Sequence, residues 1–205
     1  MSESDTQKAD GQEETDTGIS DSLIEPDQSI QSKPVPAQNF HITDDELGQG
    51  TPKEKFRANI MAIQLLKKCE EENRNATPDE QEILSRYVGW GGLADAFDET
   101  KSAWETEYLE LKTVLTPEEY AAARASTLNA HYTQPIVIES MYQALENLGF
   151  TKGNILEPSM GVGNFFGMLP EKLNQSKLYG VELDSISGRI AKLLLSLIHI
   201  SEPTR

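Results

Sequence analysis

The chain has 205 residues, 34 acidic against 18 basic, for a formal net charge of −16, with 37% hydrophobic residues and one cysteine. Its longest nearly apolar run, Leu193 to Ile200, is interrupted by Ser196 and His199 and falls far short of the roughly 20 residues that a bilayer-spanning helix needs. The first residues lack the basic and apolar regions of a secretory signal, and Cys69 has no second cysteine to pair with, so the composition points to one or two domains of a cytoplasmic protein.

The charge is uneven. Residues 1–50 hold 12 acidic and 2 basic side chains, so 10 of the 16 excess negative charges lie there. Residues 1–38 are Ser, Asp, Glu, Gln, Thr and Pro with almost no large apolar side chains. Such a segment cannot offset the entropy of ordering itself and is expected to be a disordered acidic tail. Lys33-Pro34-Val35-Pro36 stiffens its exit.

Residues 39–128 are expected to form a helical region. Thr-Pro-x-Glu is written three times, at Thr51, Thr77 and Thr116. Each supplies a capping hydroxyl, a proline where no amide proton is missed, and a glutamate placed to reach back to the cap. After the first, Phe56, Ile60, Ile63 and Leu66 recur at helical spacing up to Glu70-Glu71-Glu72. After the second, Ile83, Leu84, Tyr87 and Val88 form one face before Gly89-Trp90-Gly91-Gly92 ends the helix. That glycine-rich turn reads either as a packed turn anchored by Trp90 or as a loop facing a ligand or nucleic acid.

From residue 129 the pattern changes to alternating helix and strand. Ile136 to Asn147 reads as a helix, Asn154-Ile155-Leu156-Glu157 as a buried strand, and Phe165, Phe166, Met168 and Leu169 as part of a second helix. Leu178 to Glu182 reads as the next strand, completing a βαβ unit of a parallel sheet. The loop Glu157-Pro158-Ser159-Met160-Gly161-Val162-Gly163 follows a strand and opens a helix, a place where glycines allow close backbone approach and free amides await a ligand. It is not a dinucleotide fingerprint, because Asn164-Phe165-Phe166 stands where a third glycine is needed. A carboxylate at Glu157 suits an amino-bearing ligand better than a phosphate. Glu182 ends the next strand, 19 residues past Gly163, where an acid can accept both hydroxyls of a ribose.

Tyr132-Thr133-Gln134-Pro135, then Leu156-Glu157-Pro158-Ser159 with Gly161, Gly163 and Phe165, then Gly180-Val181-Glu182-Leu183-Asp184 together resemble three ordered motifs of S-adenosylmethionine-dependent DNA adenine-N6 methyltransferases. Residues 40–130, with Tyr87-Val88-Gly89-Trp90-Gly91-Gly92-Leu93, also resemble the N-terminal part of large methyltransferase–helicase proteins of phages and conjugative elements. The resemblance implies an α/β fold, a truncated Rossmann-like class I methyltransferase domain over residues 129–194. It implies that S-adenosylmethionine is held by Tyr132, Thr133, Glu157, Pro158, Ser159, Gly161, Gly163, Phe165 and Glu182, with Tyr132 and Thr133 at its methionine end and Glu182 at its ribose. Asp184 reads as a helix cap. His131 and Cys69 have no partners at metal-ligand spacing, so no metal is expected.

The family clamps its target adenine with an Asn or Asp, two prolines and an aromatic, downstream of the ribose acid, yet this chain contains no Pro-Pro pair. No catalytic residue is therefore assigned, and DNA contacts are expected in a missing C-terminal portion. The final eleven residues, Leu195 to Arg205, resemble the translation of a transposase adapter used in sequencing libraries. They are expected to be foreign to the domain and to pack poorly against it. Two other readings stand beside this one: a methyltransferase of protein or small molecules, and a non-catalytic module that retains the fold.

Overall fold

The computed structural model describes residues 35–44, 47–129 and 132–201. Most of the expected tail, His131, and the last four residues of the expected foreign end lie outside the described residues. All three Thr-Pro-x-Glu sites start helices with complete capping boxes: α1 (Pro52–Glu71), α2 (Pro78–Ser85) and α4 (Pro117–Ser126). Between them lies α3 (Glu105–Val114), which has no side-chain cap at Trp104 and so carried none of the start signals that marked the others. Helix α2 ends at Ser85, short of the expected Val88. The reason lies in the buried Asn59 of α1, whose Oδ1 accepts the Val88 N–H (2.9 Å) while its Nδ2 donates to the Gly89 carbonyl (2.6 Å). These bonds draw Tyr87 and Val88 out of the helix and into the turn, where Gly89 adopts φ 66°.

The second half contains α5 (Pro135–Asn147), β1 (Asn154–Glu157), α6 (Asn164–Gly167), β2 (Lys177–Val181), α7 (Ser185–Leu194) and β3 (His199–Ser201). Helix α6 is a single turn rather than the longer helix expected through Leu169, because Pro170 disfavours helical backbone at the residue before it. The three strands form a parallel sheet in the order β1-β2-β3, with Leu156 opposite Tyr179 and Tyr179 opposite His199. The chain is thus a mixed α/β structure. No described helix is long and apolar enough to cross a membrane.

The core runs without a break across residue 128. Phe56, Ile63 and Leu66 of α1, Leu84 of α2 and Trp90 belong to the same buried cluster as Ile186, Ile190 and Leu194 of α7 and Met160 and Val162 of the glycine loop. Arg189 of α7 adds ion pairs to Glu70 (2.6 Å) and Glu119 (2.7 Å). Residues 35–38, which the expected boundary assigns to the tail, are tied to this body as well. Gln38 bonds to Gln81 and Ser196, and the Val35 carbonyl accepts from Asn75.

Two expectations about the sheet are corrected. Strand β1 is not buried on both faces: Leu156 is 62% exposed, Tyr179 beside it is 36% exposed, and only the face carrying Ile155, Leu178 and Ile200 meets the core. The expected poor packing after residue 194 is also overturned for residues 195–201. Leu195 is 1% exposed, Leu197 N–H donates to Asn39, and β3 pairs with the edge of β2. Ile198 and Ile200, two residues apart, put one apolar face on the core while Leu197 points away from it, and the backbone satisfies an otherwise unpaired strand edge.

Candidate functional site

The glycine loop leaves the C-terminal end of β1 and is pinned from three sides. Met160 N–H donates to the Val181 carbonyl (3.1 Å), and its thioether lies over Gly180, where an added Cβ would fall 2.0 Å from the sulfur. Gly161 (φ 56°) packs on the Tyr132 ring, whose Cε1 would be 2.9 Å from an added Cβ. Gly161 N–H donates to Glu182 Oε2 at 2.6 Å, while the other oxygen accepts Asp184 N–H at 2.7 Å. Each carboxylate oxygen can accept more than one hydrogen bond, so Glu182 organises the loop and keeps acceptor capacity for hydroxyl groups.

Around this loop lies a cavity of about 260 Å³. Tyr132, Thr133, Glu157, Ser159, Gly161, Phe165 and Glu182, seven of the nine expected binding residues, line it. Pro158 and Gly163 do not. Gly163 (φ 89°) instead turns the chain into α6 against Leu195, whose Cδ1 would be 2.2 Å from an added Cβ. Asp184 caps α7 as expected, accepting from Ser187 N–H and Oγ. Thr133 is not the cap of α5; that position is Gln134.

The electrostatics are one-sided. Glu157, Glu182 and Asp184 all line the cavity, and no Lys, Arg or His does among the described residues. Glu182 and Asp184 have backbone or hydroxyl donors, but Glu157 Oε2 is buried with no hydrogen-bond partner. Burial first, and the nearby Glu182 charge second, push the Glu157 carboxyl up to about 8. Aromatic rings stand beside these carboxylates. Tyr87 and Tyr132 meet edge to face with centroids 6.4 Å apart, the Tyr132 hydroxyl bonds Ser187 Oγ (3.1 Å), and burial raises both phenols so that they stay neutral. Neutral π-faces beside carboxylates favour a cation.

Sequence reasoning missed Tyr87, Gly89 and Ser126 of the helical region, and Asn129 just past it, as lining residues. The Gly-Trp-Gly-Gly turn was their available signal. Trp90 is 1% exposed and packs edge-on with Phe56 and Phe97, which is the packed-turn reading, but the glycine before it presents backbone to the cavity. The turn is thus packed through Trp90 and borders the cavity through Gly89. Chemically, the arrangement can hold a cation at Glu157 and a diol at Glu182, and it opposes phosphate. No protein-family model matches this chain, and no curated protein and no solved structure matches it.

Proposed function

We propose that this chain is the cofactor-binding part of a cytoplasmic DNA methyltransferase that transfers a methyl group from S-adenosylmethionine to adenine N6, built on a Rossmann-like class I fold. The observation that carries the reading is Glu157 Oε2, a buried carboxylate oxygen without a partner in a cavity lined by carboxylates and aromatic rings. S-adenosylmethionine carries an ammonium, a sulfonium and a ribose diol, which are the groups such a donor set accepts; a dinucleotide pyrophosphate would meet only repulsion there. When bound, the cofactor supplies an electrophilic methyl group on its sulfonium.

The chain's own residues would bind and orient. Glu157, with Tyr132 and Thr133, would hold the methionine end, and Glu182 the ribose. Gly161 would let the backbone come close, and the buried ring of Tyr87 with the partly buried ring of Tyr132 would keep water from that wall. The clamp for the target adenine, and a helicase partner suggested by residues 40–130, lie outside the residues that support this reading.

Calorimetric titration with S-adenosylmethionine tests it. Binding is expected, and Glu182→Ala should weaken it at least tenfold, an effect of about 1.4 kcal/mol, because charge-assisted bonds to ribose are lost and the glycine loop is released. No binding by the unaltered chain, or unchanged affinity in the variant, would refute the proposal.

A further inference from the structure

The chain leaving β2 carries two acids in alternate positions, Glu182 and Asp184, with Leu183 between them. Side chains alternate in direction along extended backbone. Leu183 is 64% exposed, while both acids line the cavity. Glu182 holds the glycine loop. Asp184, the cap of α7, does more than hold a helix end. Its Oδ2 accepts two bonds from one residue, the Ser187 N–H at 2.8 Å and the Ser187 hydroxyl at 2.5 Å. Ser187 is 4% exposed, lines the cavity, and has its Oγ 3.1 Å from the Tyr132 hydroxyl as well. A serine hydroxyl has one proton to donate, and an ionised carboxylate has none. The Ser187 proton therefore points to Asp184, and the bond between Ser187 and Tyr132 runs from the phenol to Ser187 Oγ. Burial keeps that phenol neutral, so its proton is present to be donated. Tyr132 is left with oxygen lone pairs and no free O–H. The oxygen lies beside Gly161, 3.4 Å from where an added Cβ would stand, and both residues line the cavity.

We infer that Ser187 is a positioning residue of this site: it accepts the Tyr132 O–H, donates its own to Asp184, and so fixes Tyr132 Oη as an acceptor toward the ligand. The two hydroxyls run in one direction to a negative charge, and each bond polarises the next, which leaves the phenolic oxygen richer in electron density than that of an isolated phenol. Direction matters in this cavity. A phenol free to turn could aim its proton at a cationic ligand, or donate it to Glu182 and occupy an acceptor site that a diol needs. Held by Ser187, Tyr132 instead joins Glu157 and Glu182 as a third acceptor. Three acceptors select a ligand rich in N–H and O–H donors, an ammonium above all. The inference rests on the methyl-donor reading of the cavity, in which Tyr132 stands at the methionine end.

Two measurements on the full chain test it. The first needs no ligand. The tyrosine Fermi doublet in the Raman spectrum reports whether a phenol donates or accepts its hydrogen bond, and the difference between the unaltered chain and Tyr132→Phe isolates Tyr132 from the other tyrosines. That difference should show a donor, and Ser187→Ala should abolish the donor pattern. An acceptor pattern, or one indifferent to Ser187, would overturn the inference, and the first comparison decides the point even should Ser187→Ala fail to fold. The second measurement is calorimetric titration with S-adenosylmethionine. Tyr132→Phe keeps the ring on Gly161 and removes only the acceptor. Ser187→Ala keeps the capping bond from its N–H to Asp184 and removes only the hydroxyl. Each should weaken binding about three- to tenfold, the worth of one hydrogen bond. The double variant should bind no more weakly than Tyr132→Phe alone, because Ser187 acts through that phenol. Losses that add in full would show that Ser187 supports the fold or touches the ligand itself; that result, or unchanged affinity in either single variant, would overturn the inference. The two claims separate cleanly. Cofactor binding without the donor pattern sinks this inference alone, and the donor pattern without cofactor binding by the unaltered chain sinks the methyl-donor reading and leaves the hydroxyl chain standing.

Discussion

Glu157 and Asn59 are both buried polar side chains, and they do opposite work. Asn59 has its oxygen and its nitrogen satisfied by the backbone of the glycine-rich turn, so it fixes the wall that carries Tyr87 and Gly89. Asn59→Ala would strand the Val88 N–H and the Gly89 carbonyl, at a cost of about 2 to 5 kcal/mol; a lowered denaturation midpoint together with weaker cofactor binding is expected, and stability equal to the unaltered chain would show that the clamp is dispensable. Glu157 is instead left with a buried, unbonded oxygen. Its carboxyl is raised from the ordinary 4.5 to about 8, so the folded chain holds this proton where the unfolded chain has released it. Its contribution to stability is therefore full below about pH 4.5 and lost as pH rises through about 8. A cationic ligand prefers the ionised form, so between pH 5.5 and 7 its affinity should rise by up to about tenfold per pH unit. Each binding event should release a proton, visible as buffer-dependent heat in calorimetry. Glu157→Gln should flatten both signals; a pH profile identical to that of the unaltered chain would remove Glu157 from the ligand's contacts.

At the level of elements, α7 and β3 join the two halves. Helix α7 lays Ile186, Ile190 and Leu194 against α1 and α2, and Arg189 reaches Glu70 and Glu119 on its exposed flank. Burial works against ionisation of Glu119, but the bonds from Lys67 and Arg189 outweigh it and hold its carboxyl down at about 2. Leu195 follows directly and closes on Gly163. Leu195→Ala should leave a cavity beneath the glycine loop and cost about 2 to 5 kcal/mol. For a chain of this size that lowers the melting temperature by more than about 4 °C. A change within about 1 °C, near the effect expected of a surface substitution, would mean that Leu195 does not support the glycine loop.

For the whole molecule, the exposed row of Leu156 and Tyr179 and the lack of a Pro-Pro clamp have one functional consequence. On the proposed reading the chain holds the methyl donor, but it lacks the Pro-Pro clamp that would hold the target amino group in line with it. Orientation of that kind can be worth about 7 to 11 kcal/mol. This chain alone should therefore transfer no tritiated methyl groups to adenine-containing DNA beyond the level of a Gly161→Asp control, in which a side chain would collide with Tyr132. Turnover above that control would refute the need for a further clamp.

Local chemistry was legible in the chain itself. Thr-Pro-x-Glu started three helices because the cap, the proline and the glutamate act within four residues, and Asn154–Glu157 formed a strand within the expected bounds. The glycine loop and Glu182 lie side by side because a βαβ unit brings the ends of adjacent parallel strands together. What required the tertiary structure was everything that depends on distant segments meeting. Asn59 ends α2 early through bonds across about 30 positions of chain, a relation no periodicity encodes. Tyr87 and Gly89 enter the site only because α1 and α2 share a core with α7. Leu195 and β3 likewise look like an unrelated end until the edge of β2 and the space beside Gly163 provide their partners. Hydrogen-bond capping is satisfied locally, whereas burial depends on which surfaces come together.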